Sequence, residues 1–478
     1  MCTLARSALG ALAVTLSFVA LGCQSTGKYR FSSADQGPPP TASAGLASCE
    51  QQPAEWPPPL INPVAFTTPV AEAVPAPLPS GEAPQTGVLD VDWLVAEVLS
   101  RNPDVRSASA AWRAAAMRYP QEIALDDPMF GTMLGPGSWG DPTVDTAYMV
   151  EASQKLPWPG KRRLRGNVAQ AEANAAYYDV GEQRLRIAEM ARKAFYDYFM
   201  AHRQLAVLEK STTLLTSFRD IATSKYESAE VEQQDVLLAD VELAQIERRR
   251  LQLTRQAHVA QARINTLLLL PADAPLAPPP AELAVSDTTP TTDELRSLAL
   301  SQRPELAAQE ARIRAERYAI ALACKDLYPD VEVVGRYDAF WQETPLRPMV
   351  GMNLNLPLYK DKRRAAVGEA RARLAKEQAD LDAQISEIAF EAEQARQQVM
   401  ESQQSLAVYR ERLLPAAEQS IESARASYMA GRLDFLRLIE SQRQLLTLQD
   451  DYYAGLAEYH QRLAALDRVI GSPPPLIR

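Results

Sequence analysis

Two short basic clusters stand out because both follow the same local pattern. The first comes after Leu-Pro-Trp-Pro-Gly, and the second comes after Leu-Pro-Leu-Tyr-Lys-Asp in the other half of the chain. The clusters consist of Lys161, Arg162 and Arg163, and of Lys362, Arg363 and Arg364. Cations at the inner interface of a membrane can bind lipid phosphates. The alternative interpretation is that these side chains are simply solvated.

A cysteine at the end of an N-terminal apolar run is a second reactive residue. The run of 15 residues, ALGALAVTLSFVALG, ends just before Cys23. It is short for a membrane span and has the length of a signal-peptide core. Small residues before the cysteine resemble a bacterial lipoprotein signal, so we expect Cys23 to be lipidated with membrane-anchoring acyl chains such as palmitate. Gln24 gives no signal for inner-membrane retention. The alternative is an ordinary cleaved signal with an incidental cysteine.

The composition argues against several classes of protein. The net charge is −10, so we do not expect binding to nucleic acid. The four cysteines form no CxxC pair, the three histidines are scattered, and no Met-rich patch is visible, so we predict no metal site and no cofactor. We find neither a nucleophile elbow nor a phosphate loop, and we expect no enzyme. Cys49 and Cys324 could form a disulfide, although the sequence gives no geometry for it.

The two halves of the chain share one plan. Four anchors recur in the same order at an offset of 200 to 202 residues, among them Leu94–Val105 with Leu295–Leu306 and Lys225–Leu237 with Ser427–Ile439. An ordered set of matches at one offset indicates an internal repeat. The predicted domains are a signal peptide (1–22), a Pro-rich N-terminal extension (23–89), repeat 1 (90–270), a Pro-rich linker (271–292), repeat 2 (293–471) and a C-terminal tail (472–478).

Each repeat contains two stretches with the alternation of β-strands. The predicted strands are about 129–136 and 146–156 in repeat 1, and about 330–341 and 349–357 in repeat 2. In the last of these, Val350, Met352 and Leu354 share one face while Asn353 lies on the other. Strands with one apolar and one polar face suit a lipid-facing barrel with a wet lumen, although a strand pair on a soluble core remains the alternative. Four strands cannot close such a barrel, whereas a trimer would supply twelve.

Long helices follow the strands. From Lys161 to about Ser224, and from Lys362 to about Met429, the sequence contains hardly any helix breaker. At 1.5 Å per residue, each stretch would form a helix on the order of 100 Å long. Apolar residues near a seven-residue spacing predict a coiled-coil seam, and Pro415 should bend the second helix or its packing. The fold class is therefore mainly α with a small β part, in two repeats of helix, two strands, long helix and helix.

Taken together, residues from about Asp92 to Gly471 resemble the TolC family of outer-membrane efflux factors. The resemblance rests on the paired Asn-Pro and Arg-Pro helix starts, the repeated Leu-Pro strand end, Arg412–Ser420 and Tyr428–Leu446. The tight turn before Lys161 and the lipoprotein signal look most like the heavy-metal efflux branch. The resemblance implies a homotrimer, with a twelve-stranded transmembrane β-barrel in the outer membrane on a long periplasmic α-helical barrel. The Pro-rich linker and the chain ends would form an equatorial belt.

The resemblance also implies a gate at the periplasmic tip of the helices. Members often carry a glycine at the tip turn and acidic residues six and nine positions later. Here Gly431 is followed by Arg437, a departure, and by Glu440, a match; in repeat 1, Ala229 is followed by Asp235. The candidate gate consists of Arg437, Glu440, Asp235, Asp434 and Tyr428. The candidate adaptor-docking turns contain Ala229, Glu230, Gly431 and Arg432.

Charge pairing at this gate would differ from that of the family. An Arg437 ring beside Glu440 and Asp235 would form an ion-pair network that favours the closed state, because like charges alone repel one another. This puts a cation-selective entrance in doubt. The alternative is that Arg437 pairs with neighbouring residues away from the lumen.

The function implied is a passive exit duct of a tripartite efflux system, working with an inner-membrane pump and a periplasmic adaptor (a membrane fusion protein). The protein would be lipid-anchored in the bacterial outer membrane and extend into the periplasm. Two alternatives stay open: a lipid-anchored periplasmic coiled-coil scaffold without a pore, and a type I protein-secretion duct. The sequence does not separate metal ions, drugs and proteins as the exported substrate.

Overall fold

The structure is a computed structural model, and it describes residues 87–140, 142–286, 290–341 and 343–471. The predicted signal peptide, Cys23, most of the N-terminal extension and the C-terminal tail lie outside the described residues. Cys324 is disulfide-bonded, and the other three cysteines of the chain also lie outside this range. The predicted pairing with Cys49 therefore remains a prediction.

The two halves of the described chain have parallel element orders. The first half contains α1 (Val91–Arg101), α2 (Pro103–Ala116), α3 (Arg118–Ile123), β1 (Met129–Gly135), β2 (Ala147–Leu156), α4 (Lys161–Glu227) and α5 (Gln233–Leu267). The second half contains α6 (Thr292–Gln302), α7 (Pro304–Lys325), β3 (Val331–Asp338), β4 (Pro348–Leu354), α8 (Lys360–Val408), a π-helical turn (Tyr409–Leu413), α9 (Leu414–Met429) and α10 (Phe435–Ile470). The mainly α fold class with a small β part is confirmed.

Proline divides the first helix of each half into two. In the first half, the Asn102 side chain caps α2 by accepting from the Asp104 N–H at 2.9 Å, and Pro103 occupies the first helical turn. In the second half, Pro304 begins α7 directly after Arg303. A proline at the first helical position needs no backbone N–H, and it holds the preceding residue in an extended conformation. The Asn-Pro and Arg-Pro pairs therefore mark breaks between two helices.

The four strands form one antiparallel sheet in the order β1-β2-β3-β4. The β2–β3 pairing joins the two halves and places Leu156 opposite Val331. The strand predictions are correct in location and too long by a few residues in places. The third strand ends at Asp338 and not at 341, and the fourth spans Pro348–Leu354 and not 349–357. The third strand ends early because the chain turns toward the fourth strand, with a 3₁₀ turn at Thr344–Leu346 between them.

The alternation of the strands separates an apolar face from a polar one. On the apolar face, Val350 is 87% exposed and Phe130 is 71% exposed. On the polar face, the Ser153 hydroxyl donates to the Glu332 carboxylate at 2.8 Å, and the Asn353 amide donates to the same carboxylate at 3.3 Å. A sheet face with several large exposed apolar side chains marks a surface that contacts another protein or a membrane.

The two long helices differ in continuity. The first, α4, has 67 residues, which at 1.5 Å per residue corresponds to about 100 Å. The predicted second helix from Lys362 to about Met429 instead begins at Lys360 and is interrupted by the π-helical turn. Pro415 lies two residues beyond that turn. Because its nitrogen cannot donate to a carbonyl one turn earlier, the helix changes its hydrogen-bond register before the proline.

The described part of the Pro-rich linker lies along the middle of the helical part. The buried Asn265 side chain, near the end of α5, donates to the carbonyls of Ala272 and Ala274 at 3.1 and 2.8 Å. The Leu89 N–H donates to the Pro278 carbonyl at 2.9 Å. Extended proline-rich backbone lacks partners of its own, so side chains and the preceding segment provide them. The linker is thereby fixed against α4, α5 and the residues before α1.

Candidate functional site: the helix tip and the strand–helix junction

The two turns at the far end of the helices have the same backbone geometry. The turn after α4 places Ala229 at φ 57°, and the turn after α9 places Gly431 at φ 69°. In the first turn the Glu230 N–H donates to the Lys225 carbonyl at 2.8 Å, and in the second the Arg432 N–H donates to the Ser427 carbonyl at 2.9 Å. This pattern is the Schellman motif, which satisfies carbonyls at a helix end. Ala229, Glu230, Gly431 and Arg432 are all exposed.

A tyrosine joins the two helical hairpins behind these turns. The Tyr428 hydroxyl, near the end of α9, donates to the Asp235 carboxylate in the first turn of α5 at 3.3 Å. Tyr428 is 2% exposed, and its ring lies 5.2 Å from that of Phe435. The Lys225 ammonium lies 5.6 Å from the centre of the Tyr428 ring. The hydrogen bond between Tyr428 and Asp235 therefore lies next to buried apolar side chains. Such surroundings strengthen a hydrogen bond relative to one in water.

The local charges keep the hydrogen bond between Tyr428 and Asp235 in one direction. Burial, followed by the nearby Asp235 carboxylate, raises the pKa of the Tyr428 hydroxyl, which therefore stays protonated and donates. Burial also raises the pKa of Asp235, while the bond from Tyr428 lowers it, and Glu232 and Asp434 raise it further. Two gate candidates from different repeats are thus in direct contact within one protomer.

The other three gate candidates are exposed on the same tip. Arg437, Glu440 and Asp434 are all solvent-accessible. Within the described part of this protomer, the Arg437 guanidinium forms no ion pair, with Glu440, Asp235 or any other carboxylate. The predicted network of these charges is therefore not formed inside a single chain, and it remains a prediction for contacts between chains.

A second layer of polar contacts above the tip was not predicted from the sequence. Arg443 on α10 forms an ion pair with Glu242 on α5, and Arg249 forms one with Asp450. In the same region the buried Gln442 amide donates to the Ser211 hydroxyl at 2.6 Å. Opposite charges spaced seven residues apart on both α5 and α10 could have indicated this pairing, because that spacing keeps both pairs on one seam.

The junction between strands and long helices is built around a buried lysine. Lys161 is 2% exposed, and its ammonium donates to Asp330 at 2.9 Å and to the Tyr328 carbonyl at 3.2 Å. It also lies 3.3 Å from the Asp326 carboxylate. The backbone N–H of Trp158 donates to the Asp330 carboxylate at 2.9 Å. The Trp158 ring stacks on the Tyr328 ring, with centroids 5.2 Å apart. A turn from the first repeat is thus locked to the second.

The basic side chains were predicted either to contact lipid phosphates or to be solvated. Lys161 does neither, because it is buried. The neighbouring Arg162 is also engaged, because it donates to the Ile123 carbonyl at 2.8 Å. Arg163 and Lys362 are exposed, and Arg363 is half-buried. Arg364 lies 3.4 Å from Asp361. The two clusters therefore have similar sequences and different environments, because within the described ranges only the first cluster has a pair of carboxylates from the other repeat against it.

Methionines on the polar sheet face are a further feature that the sequence pattern did not show. The register places Met129, Met133, Met149 and Met349 on the face that also carries Glu151, Ser153 and Asn353. Met133 lies directly opposite Met149. Because these residues come from three strands, they form no local run in the sequence, and only the register brings them together.

Among the described residues there is no group of three or more His, Cys, Asp or Glu side chains that could hold a metal ion. No helix in the described ranges combines the length and the hydrophobicity needed to span a membrane.

Comparison with known proteins gives a consistent result. Residues 295–472 match the outer membrane efflux protein family. The cobalt-zinc-cadmium resistance protein CzcC of Cupriavidus metallidurans is 22% identical over 312 residues, which are 65% of this chain and 74% of that protein.

Solved structures share the fold across most of the chain. The outer-membrane channel OprN has a TM-score of 0.69 at 22% identity, covering 80% of this chain and 90% of that chain. The outer membrane protein VceC of Vibrio cholerae has a TM-score of 0.68 at 18% identity, covering 80% of this chain and 96% of that chain. The resemblance to the TolC family of efflux factors is therefore confirmed: the second half of the chain matches the outer membrane efflux protein family, and the fold is that of solved outer-membrane channels.

Proposed function

We propose that this protein is the outer-membrane exit duct of a tripartite efflux system. It would conduct passively what an inner-membrane pump and a periplasmic adaptor deliver. The observation that carries the proposal is the union, in one efflux-family chain, of a four-stranded sheet with an exposed apolar face and helices of about 100 Å. Lipid can cover the sheet face, and the helices are long enough to reach far into the periplasm.

Closure of the sheet requires further copies of the chain. The edges β1 and β4 have no strand partner within the described residues, and an open edge cannot stay unpaired in a lipid core. Three copies would give twelve strands, with the apolar face toward lipid and the face with Glu332, Ser153 and Asn353 toward a wet lumen. We therefore assign a homotrimer, anchored additionally through an acylated Cys23.

The tip is the proposed gate and the docking surface for the adaptor. The bond between Tyr428 and Asp235 holds the two hairpins of one protomer together at their ends. Arg437, Glu440 and Asp434 are exposed beside it, where equivalent residues of three copies would meet around one axis. The turns at 228–231 and 430–433 project beyond these residues, which leaves them accessible to adaptor hairpins. Opening would require the contact between Tyr428 and Asp235 to break.

Heavy-metal cations are the proposed class of cargo. The support is the similarity to CzcC, a cobalt-zinc-cadmium resistance protein. A passive duct needs no high-affinity ligand set for its cargo, because tight binding in the lumen would slow release. A type I secretion duct and a scaffold without a pore are the competing assignments.

The test is expression of the full chain in a metal-sensitive bacterial host, together with the pump and adaptor of its own system. We expect an outer-membrane, detergent-resistant trimer that dissociates on heating, and metal tolerance that depends on it. A trimer with tolerance to drugs but not to metals would overturn the cargo assignment. A protein found only as a lipid-anchored periplasmic species without a trimer would overturn the duct.

A further inference from the structure

We propose that Cys49 forms a disulfide with Cys324 and thereby fastens the N-terminal extension to the strand–helix junction. The inference goes beyond the proposed function, because it depends on export to the periplasm but on neither a pore nor a cargo. Cys324 is disulfide-bonded, and its partner determines which part of the extension is held against this end of α7.

The cysteine content of the chain narrows the choice of partner. The bond to Cys324 is formed within one chain, which contains only three other cysteines, namely Cys2, Cys23 and Cys49. Cys2 belongs to the predicted signal peptide, which is removed on export. The predicted lipidation occupies the sulfur of Cys23. Cys49 is therefore the cysteine of the mature chain that keeps a thiol for this bond.

Cys324 lies in the last turn of α7, next to the junction around Lys161. The Leu327 N–H donates to the Cys324 carbonyl at 3.3 Å, which fixes the backbone at the helix end. Two residues after Cys324, the Asp326 carboxylate lies 3.3 Å from the Lys161 ammonium. Cys324 itself is half-buried, so the surrounding helices do not enclose it. A disulfide at this position attaches the extension to a firmly held part of the junction.

The helix α7 also sets the distance that the extension has to cover. Pro304, the first residue of α7, lines a cavity together with Val95 and Leu99 of α1. Leu89, just before α1, is fixed because its N–H is bonded to the Pro-rich linker. From Pro304 to Cys324 the helix rises by about 30 Å, at 1.5 Å per residue. The extension must therefore span a distance on the order of 30 Å between the disulfide and α1.

The extension is long enough on both sides of Cys49. Residues 50–88 join Cys49 to Leu89, and a proline-rich chain at about 3.1 Å per residue would reach on the order of 120 Å. Residues 24–48 join Cys23 to Cys49 and could reach about 80 Å. The disulfide would thus divide the extension into a part that leads to the predicted acyl anchor and a part that leads to α1.

Formation of the bond requires an electron acceptor. The two thiols lose two protons and two electrons, and one S–S bond forms between their sulfur atoms. The electrons pass to the disulfide of a periplasmic thiol–disulfide oxidase, which is thereby reduced to a dithiol. Disulfides persist in the periplasm because this compartment is kept oxidising. The partner implied is an oxidase of this class, acting on the exported chain.

Peptide mapping of the full-length protein tests the pairing. The protein is purified from outer membranes without reductant, after alkylation of accessible thiols. Trypsin should release residues 318–325, which contain Cys324, joined to residues 31–101, which contain Cys49. Reduction should separate the two peptides. In the matched variant Cys49→Ala, the peptide 318–325 should be recovered without a partner and with its thiol alkylated.

Thermal dissociation of the trimer provides a second readout. A cross-link stabilises a folded chain mainly by restricting the unfolded one. Cys49→Ala and Cys324→Ala should each lower the dissociation temperature by the same amount, because each removes the same bond. The double variant should show no further decrease, as expected for two residues that act as one pair. A decrease for Cys324→Ala alone would contradict the pairing with Cys49.

The outcomes separate this inference from the duct. An outer-membrane trimer in which the peptide 318–325 is alkylated before reduction, or is joined to a different cysteine, would overturn the pairing and leave the duct intact. Covalent dimers on non-reducing gels that involve Cys324 would overturn it in the same way. A chain that stays in the cytoplasm with its cysteines reduced would overturn the proposed function and the inference together.

Discussion

The two strand–helix junctions have similar sequences and opposite environments. In repeat 1, Lys161 is buried against Asp326 and Asp330, and the turn before it packs on the second repeat. In repeat 2, Lys362 and Tyr359 are exposed. The difference teaches that the single chain is an open arrangement. Repeat 1 places its lysine against two carboxylates of repeat 2, whereas Lys362 has no such carboxylate pair among the described residues.

The two turns at the helix tip differ in the opposite way from the junctions: their residues are different, but their backbone geometry is the same. Ala229 and Gly431 both adopt positive φ and close the same pattern of hydrogen bonds. Tyr226 and Tyr428 occupy the same position relative to these turns, yet Tyr226 is exposed and Tyr428 is buried against Asp235. The backbone is therefore repeated more faithfully than the side-chain contacts, and matched substitutions in the two repeats can test each difference.

The largest expected effect comes from removing the buried lysine. Lys161→Met removes the buried cation that contacts both Asp326 and Asp330, and losing these two charge-assisted contacts to partly exposed carboxylates should cost about 3 kcal/mol. Lys362→Met, the matched control, removes an exposed charge and should cost about 1 kcal/mol or less. The yield and dissociation temperature of heat-modifiable trimers measure both. Equal losses for the two variants would break the contrast between the junctions.

The second effect concerns two histidines at corresponding positions of α5 and α10. His258 is exposed, whereas His460 packs against Tyr196 and Tyr459, and burial lowers its pKa to about 4. In the unfolded chain this histidine has a pKa near 6.5, so the unfolded state takes up the proton first as the pH falls. The free energy of unfolding therefore decreases from about pH 6.5 down to about pH 4. The total is on the order of 3 kcal/mol per protomer.

His460→Phe should remove this acid sensitivity, while His258→Phe should leave it unchanged. Burial raises the pKa of Asp467 to about 7. The folded protein therefore takes up this proton before the unfolded chain does, which increases the free energy of unfolding as the pH falls through part of the same window. The difference between each variant and the wild type isolates the histidine. Melting temperatures of the detergent-solubilised trimer between pH 4 and 7 provide the measurement. Identical pH slopes for all three proteins would contradict the assignment.

The third effect is at the gate. Tyr428→Phe removes the hydroxyl that donates to Asp235 and should weaken the closed tip by about 1 kcal/mol, which corresponds to roughly fivefold more frequent opening. Tyr226→Phe is the matched control and should have no effect, because its side chain is exposed. Antibiotic influx into cells that express each variant reports the leak. A leak of similar size from Tyr226→Phe would contradict this account, because it would show that the leak does not depend on the hydrogen bond to Asp235.

The smallest effect has opposite signs in the two tip turns. Ala229→Gly relieves a left-handed backbone at a residue with a Cβ and should stabilise its turn by about 0.5–1 kcal/mol, whereas Gly431→Ala should cost about the same. Hydrogen exchange of the amides that close each turn measures the change locally. The same sign for both substitutions would mean that the turns are not equivalent.

Much of the architecture could be predicted from the sequence because it depends on local patterns. Alternation located the four strands, and the absence of breakers located α4. The interruption before Pro415 was expected as a bend, but its form as a π-helical turn depends on hydrogen-bond register, which sequence does not show. At the tip, Tyr428 and Asp235 were both selected, but only the fold shows that they touch. The burial of Lys161 was missed because its carboxylate partners lie more than 160 residues away.

Single-channel recording from purified full-length protein in planar bilayers tests the duct most directly. Wild-type protein should be compared with Tyr428→Phe, Arg437→Ala and Glu440→Ala. We expect rare or small openings of the wild type, and more frequent or larger openings when Tyr428 loses its hydroxyl or when the exposed charges are removed. Stable wild-type openings that no variant changes would contradict the gate at this tip. An inserted trimer that conducts in none of the four forms would contradict the duct itself.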